Sequence, residues 1–207
     1  MGTTRLVLIR HAEPAAADGV CYGGLDLALS GRGHEQAAEV AEALSAMDIA
    51  AVYSSPARRA TDTALPIADA HGLVPITDSR LTEIDFGEFE GRRFDDIEAE
   101  YPQIYETWMR TPTEVRFPGG ESWQDLLSRS TAAASEIVAA HRDETVVVVS
   151  HGGVNRAILS AALDTHGDAV FRIGQGYARI SIVDYLDGAP VVTLLNCPPS
   201  GVAGLQG

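Results

Sequence analysis

The first apolar block of the chain, Leu6-Val7-Leu8-Ile9, lies between Arg5 and Arg10. A short run without polar alternation suits a strand buried on both faces better than it suits a helix. Downstream, Ala37, Val40, Ala41 and Leu44 recur at three- and four-residue intervals, which predicts a helix over 33–47 with Ser30 available as its cap. A short strand over 50–53 follows. Ser54-Ser55-Pro56 then reads as a capped helix entry with proline in the first turn, leading into a helix over 57–71. Val74-Pro75-Ile76 is expected as an edge strand, the place where a proline is tolerated.

Residues 86–121 break this rhythm. They mix aromatic and charged residues and are punctuated by Pro102, Pro112 and Pro118, so they are expected to leave the sheet and pass over it as a substrate lid. The alternation resumes with a helix over 123–140, a strand over 145–149 and a new helix after Gly152-Gly153. Strands over 179–184 and 190–195 flank Asp187-Gly188, a turn signal for a terminal antiparallel hairpin. The pattern predicts an α/β fold: a three-layer, doubly wound, mostly parallel sheet with helices on both faces and a C-terminal antiparallel hairpin. One domain over 1–207 is expected, without internal repeats and with a frayed tail over 201–207. Ligands of such sheets bind at the carboxyl ends of the strands. Arg10-His11 ends the first strand and Ser150-His151-Gly152-Gly153 ends the strand over 145–149, so two distant histidines are expected to meet at one crevice.

Composition narrows the chemistry. The 207 residues carry a formal charge of −14, which repels polyanions, and no basic run overrides it, so a nucleic-acid partner is not expected. No apolar run has spanning length and the segment before Arg10 is too short for a signal-peptide core, so no membrane partner and a cytoplasmic location are expected. Cys21 and Cys197 are far apart and match no metal-ligand spacing; free thiols are expected. An anionic ligand of so acidic a chain has to be captured by a few concentrated arginines. Backbone N–H groups at a helix start after His151, and an arginine directly before His11, both suit phosphate. Two histidines and a carboxylate could alternatively form a metal site. Neighbouring arginines raise the electrostatic cost of a dication there and favour an anion.

Leu8-Ile9-Arg10-His11-Ala12-Glu13-Pro14 resembles the signature of the histidine phosphatase superfamily, which includes the cofactor-dependent phosphoglycerate mutases. Further segments resemble that family in its order: 29–37 (LSGRGHEQA), 54–64 (SSPARRATDTA), 81–87 (LTEIDFG) and 150–153 (SHGG). The resemblance implies a phosphoglycerate mutase-like fold and a phosphomonoester hydrolase needing neither metal nor other cofactor. Its implied catalytic set is His11 as nucleophile, Arg10 and Arg59 as phosphate clamps, Glu83 as acid and base, and His151 in the oxyanion cage. The family arginine of the second motif directly precedes an alanine, which selects Arg59 and leaves Arg58 as an outward neighbour or a substrate contact.

The loop Gly19-Val20-Cys21-Tyr22-Gly23-Gly24-Leu25-Asp26 resembles that of α-ribazole phosphatase-like members, which adds Tyr22 and Gly23 to a substrate-binding group with Gly152 and Arg58. The sequence also departs from the pattern. Ala12 replaces the commoner glycine, Ala17 stands where an asparagine often faces phosphate, and Phe86 replaces a mutase tyrosine. The mutases' arginine pair in the lid is missing too. A small phosphorylated metabolite is therefore the expected substrate, with hydrolysis preferred to mutase action and to a phosphate-binding module without catalysis. Oligomeric state stays open at this stage, a homodimer included.

Overall fold

A computed structural model describes residues 2–16 and 19–202. Six strands form one sheet in the order β3-β2-β4-β1-β5-β6. Strand β1 (Thr3–Arg10) runs through its middle, parallel to β4 (Thr145–Ser150) and antiparallel to β5 (Ile180–Leu186). Strand β2 (Ile49–Ser54) lies parallel to β4 and to the two-residue β3 (Ile76–Thr77). Strand β6 (Ala189–Cys197) closes the other edge, antiparallel to β5. The mostly parallel sheet and terminal hairpin agree with the alternation read from the sequence. At the hairpin turn Asp187 and Gly188 have φ of 49° and 90°, the left-handed pair that matches strand twist.

The central strands are apolar on both sides because both faces are covered. Leu6, Leu8, Val146 and Val148 pack into one fully buried layer; Val7, Ile9, Val147 and Val149 pack into the other. Each such side chain contributes about 1.5–3 kcal/mol by leaving water. Helices α1 (Gly31–Leu44) and α2 (Arg58–Ala70) cover the second layer. The first lies beneath α3 (Phe94–Glu100), α4 (Pro102–Arg110), α5 (Trp123–Ala140) and α6 (Gly152–Ala162). Helix α5 starts on a capping box, Ser122 with Asp125, and α1 on the Ser30 side chain accepting from Gly33 N–H.

Several local expectations change. Ser30 caps a helix that begins at Gly31 rather than at residue 33 and ends at Leu44. Helix α2 begins at Arg58 with Ala57 as an uncapped N-cap, and Pro56 stays outside it. The serine expected to cap it has another task, because the Ser55 hydroxyl lies 2.8 Å from His151 Nε2. The edge strand falls on Ile76–Thr77, with Val74 exposed and Pro75 outside the ladder, consistent with proline's missing donor. Helix α6 includes both glycines instead of following them. At the C-terminus Val202 is buried against the α1/α2 layer, so the tail is packed at least to that point; residues 203–207 lie outside the described ones.

Residues 86–121 do leave the sheet, carrying α3 and α4. Phe89, Ile97, Val115 and Phe117 anchor them by joining the core under α5 and α6. Among the described residues no helix is long and apolar enough to cross a membrane.

Candidate active site

Register places the two motif histidines side by side. Arg10 pairs with Ser150 across β1 and β4, so the chain leaves both strands at the same level, and His11 N–H donates to the Ser150 carbonyl at 2.8 Å. The imidazoles end with ring centroids 5.1 Å apart, both buried. Ser55 N–H bonds the Val149 carbonyl at 3.0 Å and brings the end of β2 to the same crevice.

Arg59 is fully buried between the histidines. Its Nε donates to His11 Nε2 at 3.3 Å and its Nη2 to His151 Nδ1 at 3.2 Å. Two carbonyls of the 19–26 loop aim the guanidinium: Gly23 accepts from Nη2 at 2.6 Å and Leu25 from Nη1 at 2.7 Å. A buried arginine stays charged in such a cage, although desolvation lowers its pKa, with Glu83 and Tyr22 opposing. Arg58 points away, largely exposed and paired with Asp62 at 3.4 Å, while its backbone N–H binds Asp26. The structure thus brings Arg59 into the crevice and leaves Arg58 outside it.

The hydrogen bonds fix the tautomers. His11 Nδ1 faces the Ala12 carbonyl at 2.8 Å and must donate to it, which leaves the Nε2 lone pair toward Arg59 and the crevice. By the same logic His151 accepts at Nδ1 and donates from Nε2 to Ser55. Burial holds the His11 pKa well below the usual imidazole value, reinforced by Arg10 and Arg59. Burial does the same to His151, followed by His11 when that ring is protonated and by the charges of Arg59, Arg10 and Arg129. Both rings are therefore neutral at neutral pH, the state in which an imidazole is a nucleophile.

Arg10 is held by the Gln175 carbonyl at 2.6 Å and lies 4.0 Å from the centre of the Tyr177 ring. Its Nε is buried without a hydrogen-bond partner among the described residues, beside the first residue of α6. An orphan cationic donor at the start of a helix is the arrangement an oxyanion satisfies. Glu83 closes the other side. Its Oε2 accepts from Gly153 N–H and its Oε1 from Ile84 N–H, each at 3.0 Å. Glycine at 153 lets the carboxylate approach this closely: a Cβ would lie 2.2 Å from Glu83 Oε1 and push it aside. Gly23 is under a similar constraint, since its Cβ would lie 2.4 Å from the Ile84 carbonyl. Gly152, by contrast, opens α6 with room for a methyl group.

Four contributors escaped the sequence reading. Arg129, on α5, donates to the carbonyls of Arg80, Thr82 and Glu83 and pairs with Glu121 at 2.7 Å, so it fixes the loop that carries Glu83. Hydrogen bonds from Arg129 and from Asp85 N–H hold the Glu121 pKa down against burial, which raises it. Arg156 is a third arginine near the crevice; its pKa is lowered by burial, with the charge of Glu83 opposing and that of Arg10 adding. Its position four residues after Gly152 was a readable signal, because that spacing shares a helix face. Gln175 and Tyr177 come from the irregular segment before β5, where no periodicity announces them. Tyr177 meets Tyr22 hydroxyl to hydroxyl at 2.5 Å, and Tyr22 itself lies 5.6 Å from the Arg59 guanidinium. Ala17 lies outside the described residues. Among those residues no group of His, Cys, Asp or Glu side chains is placed to hold a metal ion, and both cysteines are free thiols.

A neutral imidazole with a directed lone pair, two arginines, a helix start and one carboxylate make a candidate active site whose chemistry suits phosphate. The profile of the histidine phosphatase superfamily (branch 1) matches residues 6–198, and the chain belongs to that family of enzymes. Its relatives include Phosphoserine phosphatase 1 of Hydrogenobacter thermophilus, 35% identical over 193 residues, covering 93% of this chain and 92% of that protein. Glucosyl-3-phosphoglycerate phosphatase of Mycobacterium tuberculosis is 37% identical over 172 residues, covering 79% of this chain and 76% of the relative. In three dimensions the chain resembles a putative alpha-ribazole-5'-P phosphatase from Escherichia coli with a TM-score of 0.86 at 26% identity, covering 94% of this chain and 97% of the other.

Proposed function

We propose that this enzyme hydrolyses phosphate monoesters of small molecules through a phosphohistidine on His11, without a metal ion. The observation that carries the reading is the Arg59 guanidinium donating to both imidazoles while the orphan Arg10 Nε faces the same crevice. A monoester dianion repels nucleophiles until its oxygens are neutralised, and two forked, permanently charged side chains do this where other enzymes use a cation. His11 Nε2 attacks phosphorus, the bond to the ester oxygen breaks, and Glu83 passes its proton to the departing alkoxide. Glu83 then takes a proton from water as that water attacks phosphorus, the P–N bond breaks, and inorganic phosphate leaves.

Magnitudes assign the burden. Uncatalysed monoester hydrolysis leaves room for up to ~21 decades of acceleration, whereas general acid catalysis typically supplies about 2–4. Preorganised positive charge and positioning supply most of the rest, from Arg10, Arg59, His151 and the α6 N–H groups. An α-ribazole-5'-phosphate-like ester is one candidate substrate. Phosphoglycerate mutase action is the alternative reading, disfavoured by the missing lid arginine pair and by Phe86 in place of a tyrosine. Phosphate release measured with and without chelator, beside a mutase assay on phosphoglycerates, tests the reading. Chelator-resistant release without isomerised product supports it; release that chelator abolishes, or isomerisation without release, refutes it.

A further inference from the structure

Beyond the phosphate crevice opens a cleft of about 490 Å³, whose walls include Glu13, Tyr22, Phe86, Phe94, Trp108 and Tyr177. It continues the catalytic crevice. Tyr177 stacks on Arg10 and lies 5.6 Å, ring to ring, from His11, and Tyr22 faces Arg59, so the two tyrosines form the boundary between phosphate and cleft. Whatever is esterified to the phosphate must extend past them.

The cleft has a specific chemical character. Trp108 is held against Phe86, Phe94 and Phe117 with ring centroids 5.3, 5.8 and 5.0 Å apart, so its indole is a fixed wall. Rigid, mutually tilted rings bind another ring at small entropic cost and in edge-to-face geometry. The volume lies in the range of about 300–1,000 Å³ typical of small-molecule sites. Glu13 is the one charged side chain among the described lining residues. Its Oε1 accepts from the Ser30 hydroxyl at 2.7 Å, and it has no ion pair among the described residues. Arg93 edges the cleft beyond Gly19 and pairs with Asp95 at 3.9 Å.

We infer that this cleft selects an aromatic, non-anionic leaving group and rejects carboxylated ones, a deepening of the phosphatase reading that rests on it. Ring stacking on Trp108 and Phe94 rewards a planar alcohol, while a carboxylate would enter against Glu13, with no cationic side chain among the described lining residues and Arg93 only at the edge. This preference differs from the substrates in the names of the two relatives, phosphoserine and glucosyl-3-phosphoglycerate, both of which carry a carboxylate.

The test compares kcat/KM for 2-phenylethyl phosphate, ribose 5-phosphate, O-phosphoserine and 3-phosphoglycerate, all phosphate esters of primary alcohols, at one fixed ionic strength. The expected order places 2-phenylethyl phosphate above both carboxylated esters by roughly tenfold or more, the scale of one ring contact plus one like-charge contact. Phe94→Ala is expected to lower the 2-phenylethyl value with little change for ribose 5-phosphate. Glu13→Gln, which keeps the acceptor for Ser30, is expected to raise the phosphoserine-to-phenylethyl ratio about fivefold. Carboxylated esters turned over as well as or better than the aromatic one, or a ratio unmoved by Glu13→Gln, would overturn the selectivity while leaving the phosphatase reading intact. Failure of the folded protein to release phosphate from any of the esters would overturn both.

Discussion

Replacing Gly153 by alanine tests whether Glu83 works from the position the fold gives it. The added Cβ would stand 2.2 Å from Glu83 Oε1, 3.1 Å from Leu126 Cδ2 and 3.2 Å from Glu83 Cδ. Ordinary carbon contact needs about 3.5 Å, so the carboxylate has to retreat by roughly 1 Å. Its bond from Gly153 N–H, 3.0 Å in the native site, stretches or breaks. A charge-assisted bond of this kind contributes about 1.5–3 kcal/mol, and a 1 Å misplacement of a catalytic group costs on the order of a hundredfold in rate. Gly153 is the second residue of α6, in a helical conformation that alanine also adopts. The variant is therefore expected to fold and to lose about two decades of kcat on a primary alkyl phosphate. On p-nitrophenyl phosphate, whose leaving group departs without a proton, the loss should stay below about tenfold. Steady-state kinetics on both substrates decide the matter. Unchanged turnover of the alkyl ester would remove Glu83 as the acid, and equal losses on both esters would locate the damage in the phosphate cage instead.

Arg59→Ala should slow p-nitrophenyl phosphate turnover far more than Glu83→Gln, since the aryl ester needs the cage and not the proton; equal losses in stopped assays would contradict that division. Stability should fall as pH drops below about 6.5. His11 and His151 are held well below the usual value by burial and then by neighbouring positive charges, so the unfolded chain takes up protons first. Their stabilisation is complete above the unfolded pKa and is lost as pH falls toward the folded pKa, by about 2.7 kcal/mol per pH unit for two sites; urea melts at stepped pH that show no such loss would refute the assignment. Arg129→Ala, which strips three carbonyls of their donor, should destabilise the fold by about 2–4 kcal/mol and lower kcat on alkyl esters, seen by melts and kinetics together.

The candidate crevice was legible because its parts end strands. An apolar run stopping at Arg10-His11 and another stopping at Ser150-His151 carry their own position, and the parallel register of β1 and β4 does the rest. Arg59 and Glu83 entered through motif resemblance, and the structure brings both to the crevice. Ser55 was misread because a serine before a proline and a helix is locally an N-cap, whereas its hydroxyl serves a histidine 96 residues away. Arg129 was invisible for a related reason. A basic residue in mid-helix reads as solvated surface, and only the packing of α5 against the Glu83 loop gives it carbonyls to hold. Tyr177 and Gln175 lie in irregular chain, where neither a period of two nor one of 3.6 marks a residue's direction.

Every role proposed for these residues depends on a covalent bond between His11 Nε2 and phosphorus. Rapid acid-free quenching of the enzyme with a turning-over monoester, followed by peptide mapping in chelator, measures it directly. One phosphoryl group is expected on the peptide containing His11, stable to base and labile to acid, and none in His11→Ala. A phosphorylated residue elsewhere, or His11→Ala turning over at the native rate, would contradict it.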